Sequence, residues 1–134
     1  MHETKIPSYI KERVLKRRGK LNIYESLNPR SSALLVIDMQ NCFIIPGLSL
    51  VEVPGVEVIA PKINVLAKAI RMAGGRVIWT KHRYTSEWSS WYNDFCDLKT
   101  RKLIIEDTKE SAFPGKIWDG MKVENEDNII IKSR

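Results

Sequence analysis

The chain has 134 residues, of which 43% are hydrophobic and 28% are charged, a size and composition typical of one globular domain. This composition argues against overall disorder, and no apolar run approaches the roughly 20 residues that a membrane-spanning helix needs. The net charge of +6 is local, because residues 1–30 hold eight Lys or Arg against three Glu. With only two cysteines and no charged-then-apolar leader, we expect a reduced, cytoplasmic protein.

Residues 1–30 are predicted to form a basic helical arm, distinct from a domain over residues 31–134. Pro7 and Ser8 indicate a helix start and Gly19 its end. Apolar residues recur on one face of this helix at four-residue spacing: Ile6, Ile10 and Val14. The basic residues between them are interpreted as a solvated face. Nucleic-acid binding through residues 11–20 is an alternative, although no base-reading motif supports it.

Three short apolar runs predict β-strands, and each run ends at a polar residue. The runs are Leu34 to Ile37 before Asp38, Val77 to Trp79 before Thr80 and Lys81, and Ile129 to Ile131 before Lys132. The first run has no polar alternation, which predicts a central strand covered on both faces. Since the carboxyl ends of parallel strands meet at one sheet edge, Asp38 and Lys132 are candidates for an acid/base pair there.

The segments between these strands predict a mostly parallel sheet. Pro61 begins an amphipathic helix that the glycines at 74–75 end, and a strand over 76–80 follows directly, so residues 33–80 form a strand, crossover helix and strand. Residues 81–120 predict a long irregular excursion with a short helix near 90–99. The third strand is expected over 128–132.

The predicted fold class is therefore α/β, a three-layer α/β/α sandwich with a Rossmann-like sheet. Parallel strands need helices on both faces, and the sequence supplies one strong crossover helix and one basic arm. Exposed apolar strands would be a liability. We therefore expect the fold to be completed by a second polypeptide.

Two motifs give a resemblance to a known family. Asp38, Gln40 and Phe43 match a pattern of Asp, any residue, Gln, two residues and Phe after the first strand, and the segments 113–115 and 126–134 look like the approach to a catalytic lysine. This combination resembles the isochorismatase-like cysteine hydrolases, such as N-carbamoylsarcosine, ureidoacrylate and maleamate amidohydrolases. The resemblance runs from about Ala33 to Arg134.

The resemblance implies a Cys-Asp-Lys triad that cleaves a C–N bond of a small linear amide or ureide without a cofactor. Asp38 would take the thiol proton, and Lys132 would hold the thiolate and the developing anion. In the family the nucleophilic Cys lies several tens of residues beyond the lysine, so it would come from the second polypeptide. Family members commonly self-associate, so an oligomer is also expected.

The remaining site predictions concern the substrate pocket: Gln40, Phe43, His82, Tyr84 and Trp88. Gln40 and Phe43 are interpreted as supports and pocket wall more than as chemical groups. No metal site is expected, because related nicotinamidases use an Asp and two His where this chain has one His, and a catalytic zinc normally has three protein ligands.

Cys42 lies four residues from Asp38, but we interpret it as a small buried hydrophobe and not as the nucleophile. Cys96 is a weaker candidate still, and neither has a nucleophile elbow around it. A noncatalytic binding or assembly module derived from the same fold is the remaining alternative, against which the matched Asp38 and Lys132 argue.

Overall fold

The computed structural model describes residues 5–85, 94–109 and 111–133. Its three strands are β1 (Ala33–Ile37), β2 (Arg76–His82) and β3 (Asn128–Lys132), which form one parallel sheet in the order β1-β2-β3. In the same described ranges, four α-helices accompany them: α1 (Ser8–Arg18), α2 (Asn41–Ile44), α3 (Ala60–Met72) and α4 (Leu98–Asp107). The predicted α/β class with a parallel sheet is confirmed.

Local signals in the sequence explain where the two longest helices begin and end. α1 follows Pro7, and Gly19 ends it with a left-handed φ of 72°, a conformation that glycine adopts without strain. α3 has Pro61 in its first turn, and the chain reverses after it through Gly74, with φ 81°. α3 packs against both β1 and β2, so the predicted strand, helix and strand unit is confirmed.

Two expectations about the strands were wrong. Within the part of the chain that the structure describes, β2 lies in the middle of the sheet and β1 lies at an edge, because an apolar run indicates potential burial and not strand order. β2 also continues past Thr80 to His82, because β3 pairs with it up to the partners His82 and Lys132. Hydrogen bonds to a neighbouring strand thus keep two polar residues in the extended conformation.

The excursion after β2 contains α4, which begins later than the helix predicted near 90–99. Asp97 sets this start, because its carboxylate accepts hydrogen bonds from the backbone N–H groups of Lys99 and Thr100. The early part of the predicted range falls in residues 86–93, outside the described residues.

The two faces of the sheet differ in burial. On the face that α3 covers, Val36, Val77 and Trp79 are buried together with Ala67 of the helix. On the other face, Leu35 is 51%, Ile37 58% and Ile130 49% exposed. The core therefore lies on the α3 side, and the second face presents apolar side chains to solvent.

No described helix is both long enough and apolar enough to cross a membrane.

Candidate active site at the carboxyl edge of the sheet

Asp38 and Lys132 meet at the carboxyl edge of the sheet. Lys132 Nζ lies 2.7 Å from Asp38 Oδ2. The side chain of Lys132 is 30% exposed and that of Asp38 is 23% exposed. The second carboxylate oxygen of Asp38 accepts a hydrogen bond of 2.9 Å from the hydroxyl of Thr80. The sheet thus brings together an acid and a base that are 94 residues apart in the chain.

The backbone at Asp38 is what directs its carboxylate to this place. Side chains alternate along a strand, so residue 38 would by continuation fall on the face of Val36, away from Thr80 and Lys132. Asp38 instead has a φ of 56°, and it is the one described non-glycine residue with positive φ. Such a conformation is uncommon and costs roughly 1 kcal/mol or more, although Asp tolerates it better than most residues.

Gln40 replaces a missing strand residue beside β2. β1 pairs with β2 only as far as Thr80, so the N–H and C=O groups of His82 would lack partners on that side. The Gln40 side chain accepts from His82 N at 2.6 Å through Oε1 and donates to His82 O at 3.1 Å through Nε2. Because Gln40 is fully buried, these contacts identify it as a support for the edge.

A second set of contacts fixes the loop that carries Gln40. Its Nε2 also donates to the carbonyl of Gly115 at 2.8 Å, and the side chain of Asn41 donates to the carbonyl of Phe113 at 2.9 Å. A Cβ on Gly115 would lie 2.7 Å from the carbonyl oxygen of Lys109, so only glycine fits there. The two sequence motifs that carried the family resemblance therefore pack against each other.

The other predicted pocket residues are distributed around this edge. Phe43 is partly buried and packs against the core. His82 is 7% exposed, and its ring meets that of Tyr84 edge-on at a centroid distance of 3.9 Å. Tyr84 also lines a cavity of about 580 Å³, together with Thr85 and Ile105. Trp88 lies outside the described residues.

The electrostatic environment separates His82 from an ordinary surface histidine. Burial lowers the pKa of His82, and the charge of Lys132 lowers it further, while Asp38 opposes the shift. His82 Nδ1 lies 3.4 Å from Lys132 Nζ, and the buried Nε2 has no hydrogen-bond partner within the described ranges. Sequence reasoning placed His82 at this edge but gave no sign of its contact with Lys132.

Cys42 does not have the properties of a nucleophile. It is completely buried, and burial together with the charge of Asp107 raises the pKa of its thiol to about 11. A thiol with such a pKa remains protonated at neutral pH. The interpretation of Cys42 as a core residue agrees with this environment.

The donor set at this edge does not fit a metal ion. His82 Nδ1 and Asp38 Oδ2 both lie against Lys132 Nζ, at 3.4 and 2.7 Å, so a cation already occupies the space between them. Within the described ranges, no three His, Cys, Asp or Glu side chains are grouped so that they could hold a metal ion.

One interaction that sequence reasoning missed lies at the other end of β3. The side chain of Asp127 is 1% exposed and pairs with Arg71 of α3, whose Nε donates to Asp127 Oδ1 at 2.8 Å. The indole N–H of Trp79 and the backbone N–H of Glu124 donate to Oδ2 at 2.7 and 3.0 Å. The one available signal was Trp79 itself, since a buried indole N–H usually finds an acceptor.

Comparisons with known proteins agree with this architecture. A family model described as the isochorismatase domain matches residues 32–134. No curated protein matches the chain. Among solved structures, the chain is similar to a cysteine hydrolase from Pseudomonas syringae pv. phaseolicola 1448A, with a TM-score of 0.63 and 21% identity over 80% of this chain and 48% of that one.

Two further structures extend this similarity. Pyrazinamidase of Pyrococcus horikoshii, in complex with zinc, has a TM-score of 0.58 and 21% identity over 75% of this chain and 51% of its own. N-carbamoylsarcosine amidase from Thermoplasma acidophilum has a TM-score of 0.55 and 15% identity, over 75% of this chain and 50% of its own. The chain thus spans about half the length of these structures.

Proposed function

This chain belongs to the isochorismatase domain family, and we propose that it forms the first part of a cysteine hydrolase that cleaves a C–N bond of a small linear amide or ureide. Asp38 acts as the base and Lys132 as the cation of a Cys-Asp-Lys triad. The nucleophilic Cys comes from a second polypeptide that completes the fold. The contact of 2.7 Å between Asp38 and Lys132 carries the proposal.

The chemistry needs both members of this pair. A free thiol has a pKa near 8.5, so an adjacent carboxylate that takes its proton and an ammonium group that stabilises the thiolate both favour attack at neutral pH. Asp38 receives the thiol proton while the sulfur attacks the carbonyl carbon. Lys132 then stabilises the negative charge that the transfer leaves on sulfur and on the carbonyl oxygen.

The rest of the cycle returns the proton. The tetrahedral intermediate collapses with loss of the nitrogen leaving group, which takes the proton from Asp38, and a thioester remains on the Cys. Asp38 then removes a proton from water as it attacks the thioester, and the departing thiolate takes this proton from Asp38, which restores the starting state. Partial exposure of both Asp38 and Lys132 supports this role, because fully enclosed groups could not meet a substrate.

The substrate-binding assignments follow from position. Tyr84 lines the cavity beside this edge, and we assign it to the wall that meets the substrate, while the ring of His82 supports Tyr84 from behind through their edge-on contact. Phe43, which packs against the core, is assigned to the same wall on the sequence pattern. Gln40 contributes by holding the backbone of His82 in place, and Trp88 is assigned to the pocket on the sequence pattern alone.

Two observations support completion by another polypeptide. The chain spans about half the length of the similar solved structures, and the second face of the sheet presents exposed Leu35, Ile37 and Ile130. In a three-layer fold such a face lies beneath helices. We assign these missing helices and the nucleophilic Cys to the same second polypeptide, in an assembly that also self-associates.

Native mass spectrometry of the purified protein, followed by assays on a panel of linear amides and ureides, tests the proposal. We expect this 15.5 kDa chain to travel with a second polypeptide whose Cys reacts rapidly with iodoacetamide, with hydrolysis lost on alkylation. Hydrolysis by the 15.5 kDa chain alone would contradict the second polypeptide. Absence of hydrolysis by a complete assembly would contradict the enzymatic function.

A further inference from the structure

His82 contacts the candidate catalytic lysine through its ring nitrogen and packs its ring against Tyr84. His82 and Lys132 are register partners on β2 and β3, so their side chains emerge on the same face of the sheet. The Nδ1 to Nζ distance of 3.4 Å is a long hydrogen bond between these two side chains. An imidazole nitrogen therefore stands beside the ammonium group that the reaction needs.

The chemistry of the two groups fixes the direction of this contact. A lysine ammonium has three N–H donors and no acceptor, so His82 Nδ1 must present a lone pair to it. The ring proton then lies on Nε2. Burial and the nearby Lys132 charge both disfavour a second ring proton, and among the described residues the charges that act on the ring are those of Lys132 and Asp38.

We propose that His82 is a positioning residue for the reaction: a neutral imidazole, protonated at Nε2, whose Nδ1 lone pair holds the Lys132 ammonium beside Asp38. This inference rests on the proposed function, because it concerns the lysine of the proposed triad. One N–H of Lys132 is directed to Asp38 and a second to His82. The third N–H is then left for the charge that develops on sulfur and on the carbonyl oxygen.

The surroundings of His82 favour a fixed orientation of the ring. Its backbone N–H and C=O are both bound by the side chain of Gln40, and the ring packs edge-on against Tyr84. The backbone carbonyl of Lys132 in turn accepts a hydrogen bond of 2.9 Å from Arg83 N. Hydrogen bonds thus hold the backbone at both His82 and Lys132.

The tautomer of His82 is measured first, by NMR of ¹⁵N-labelled assembled protein at pH 7.5. Two-bond couplings between the ring nitrogens and the carbon-bound ring protons show which nitrogen carries the proton. The spectrum of the His82→Asn variant distinguishes His82 from His2, the one other histidine in the chain. We expect the proton on Nε2, and a proton on Nδ1 would overturn the inference whatever the activity.

Two variants of His82 then form a matched pair. In Asn the amide oxygen is attached to Cγ, as Nδ1 is in histidine, so His82→Asn keeps an acceptor near Lys132. In Gln the polar atoms lie one carbon further out, as Nε2 does. We expect kcat within about threefold of wild type for His82→Asn and about 10- to 100-fold lower for His82→Gln, with KM nearly unchanged in both.

The outcomes separate this inference from the proposed function. Equal loss of kcat in both variants would overturn the positioning role, and a rise of KM with unchanged kcat would identify His82 as a substrate-binding residue instead. If the wild-type assembly hydrolyses no amide or ureide, the proposed function fails. The tautomer measurement still decides whether His82 accepts from Lys132 in that case.

Discussion

Two of the ion pairs among the described residues lie at opposite ends of β3, and they differ in how completely their carboxylates are hydrogen-bonded. At the amino end of β3, the side chain of Asp127 is 1% exposed and accepts from Arg71, Trp79 and the Glu124 backbone. At the carboxyl end, Asp38 accepts from Lys132 and Thr80 and is 23% exposed. A carboxylate whose hydrogen bonds are all satisfied is typical of a structural ion pair. A reacting carboxylate needs room to accept a further proton.

The same contrast appears in the pKa values. Burial opposes ionisation of Asp127, but hydrogen bonds from Arg71, the Glu124 backbone and Trp79 hold its pKa below the usual range. Arg71 in turn has a raised pKa, chiefly because of its hydrogen bond to Asp127. This pair is thus fixed in its charged state, and it anchors the strand that carries Lys132.

The largest effect on activity is expected at the partly exposed pair of Asp38 and Lys132. Asp38→Asn keeps the shape of the side chain and the tolerance for positive φ but removes the base, so kcat/KM of the assembled enzyme should fall by about 10²- to 10⁴-fold. Stability to urea should change little. The exposed Asp119→Asn is the matched control, and full activity of Asp38→Asn would remove this residue from the mechanism.

A substitution in the buried pair of Asp127 and Arg71 should instead change the stability of the fold. Asp127→Asn places an amide N–H₂ among donors, so the free energy of unfolding should fall by about 2–4 kcal/mol in urea titrations. For comparison, Lys109→Ala breaks an exposed pair with Glu106 and should cost about 0.5 kcal/mol or less. Equal losses for these two variants would contradict the structural role of Asp127.

As the pH falls, the fold should lose stability through His82 before the carboxylates become protonated. The lowered pKa of His82 means that the folded state binds fewer protons than the unfolded state below the ordinary value of 6.5. The free energy of unfolding should therefore decrease as pH falls below 6.5, by at most about 1.4 kcal/mol per pH unit, until the folded pKa is passed. His82→Asn should lack this decrease, and parallel pH profiles for the two proteins would refute the assignment.

The smallest effect is expected at Cys42, which lies near the site without taking part. Cys42→Ala should reduce the free energy of unfolding by about 1 kcal/mol, because a small buried side chain is removed, and should leave kcat unchanged. In the native protein this thiol should resist iodoacetamide at pH 7.5, since its pKa is about 11. Rapid labelling of Cys42 with loss of activity would identify it as the nucleophile.

Much of the fold could be predicted because its signals are local. Gly19, Pro61 and the apolar run before Lys132 each determine an element boundary within a few neighbouring residues. The edge position of β1 could not be predicted, because strand order depends on partners distant in sequence. The extension of β2 through His82 was missed for the same reason, since pairing with β3 outweighs the polar side chains.

The candidate site was only partly predictable. The meeting of Asp38 and Lys132 followed from parallel strands that end at one edge, and the structure brings them to 2.7 Å. The roles of Gln40 and His82 depend on which backbone groups lose a partner where β1 stops, and this is a property of the assembled sheet. Nothing in the polar turn before Asn128 indicated that Asp127 would be buried against Arg71.

The left-handed backbone at residue 38 also limits which amino acids that position can hold. A β-branched or bulky side chain would be strained there, whereas Gly, Asn and Asp fit. Of these three, only Asp carries a charge at neutral pH. One residue therefore supplies both the bend that ends β1 and the proton acceptor, so a mutation to a larger residue disturbs the turn and at the same time removes the carboxylate or, in the case of Glu, displaces it.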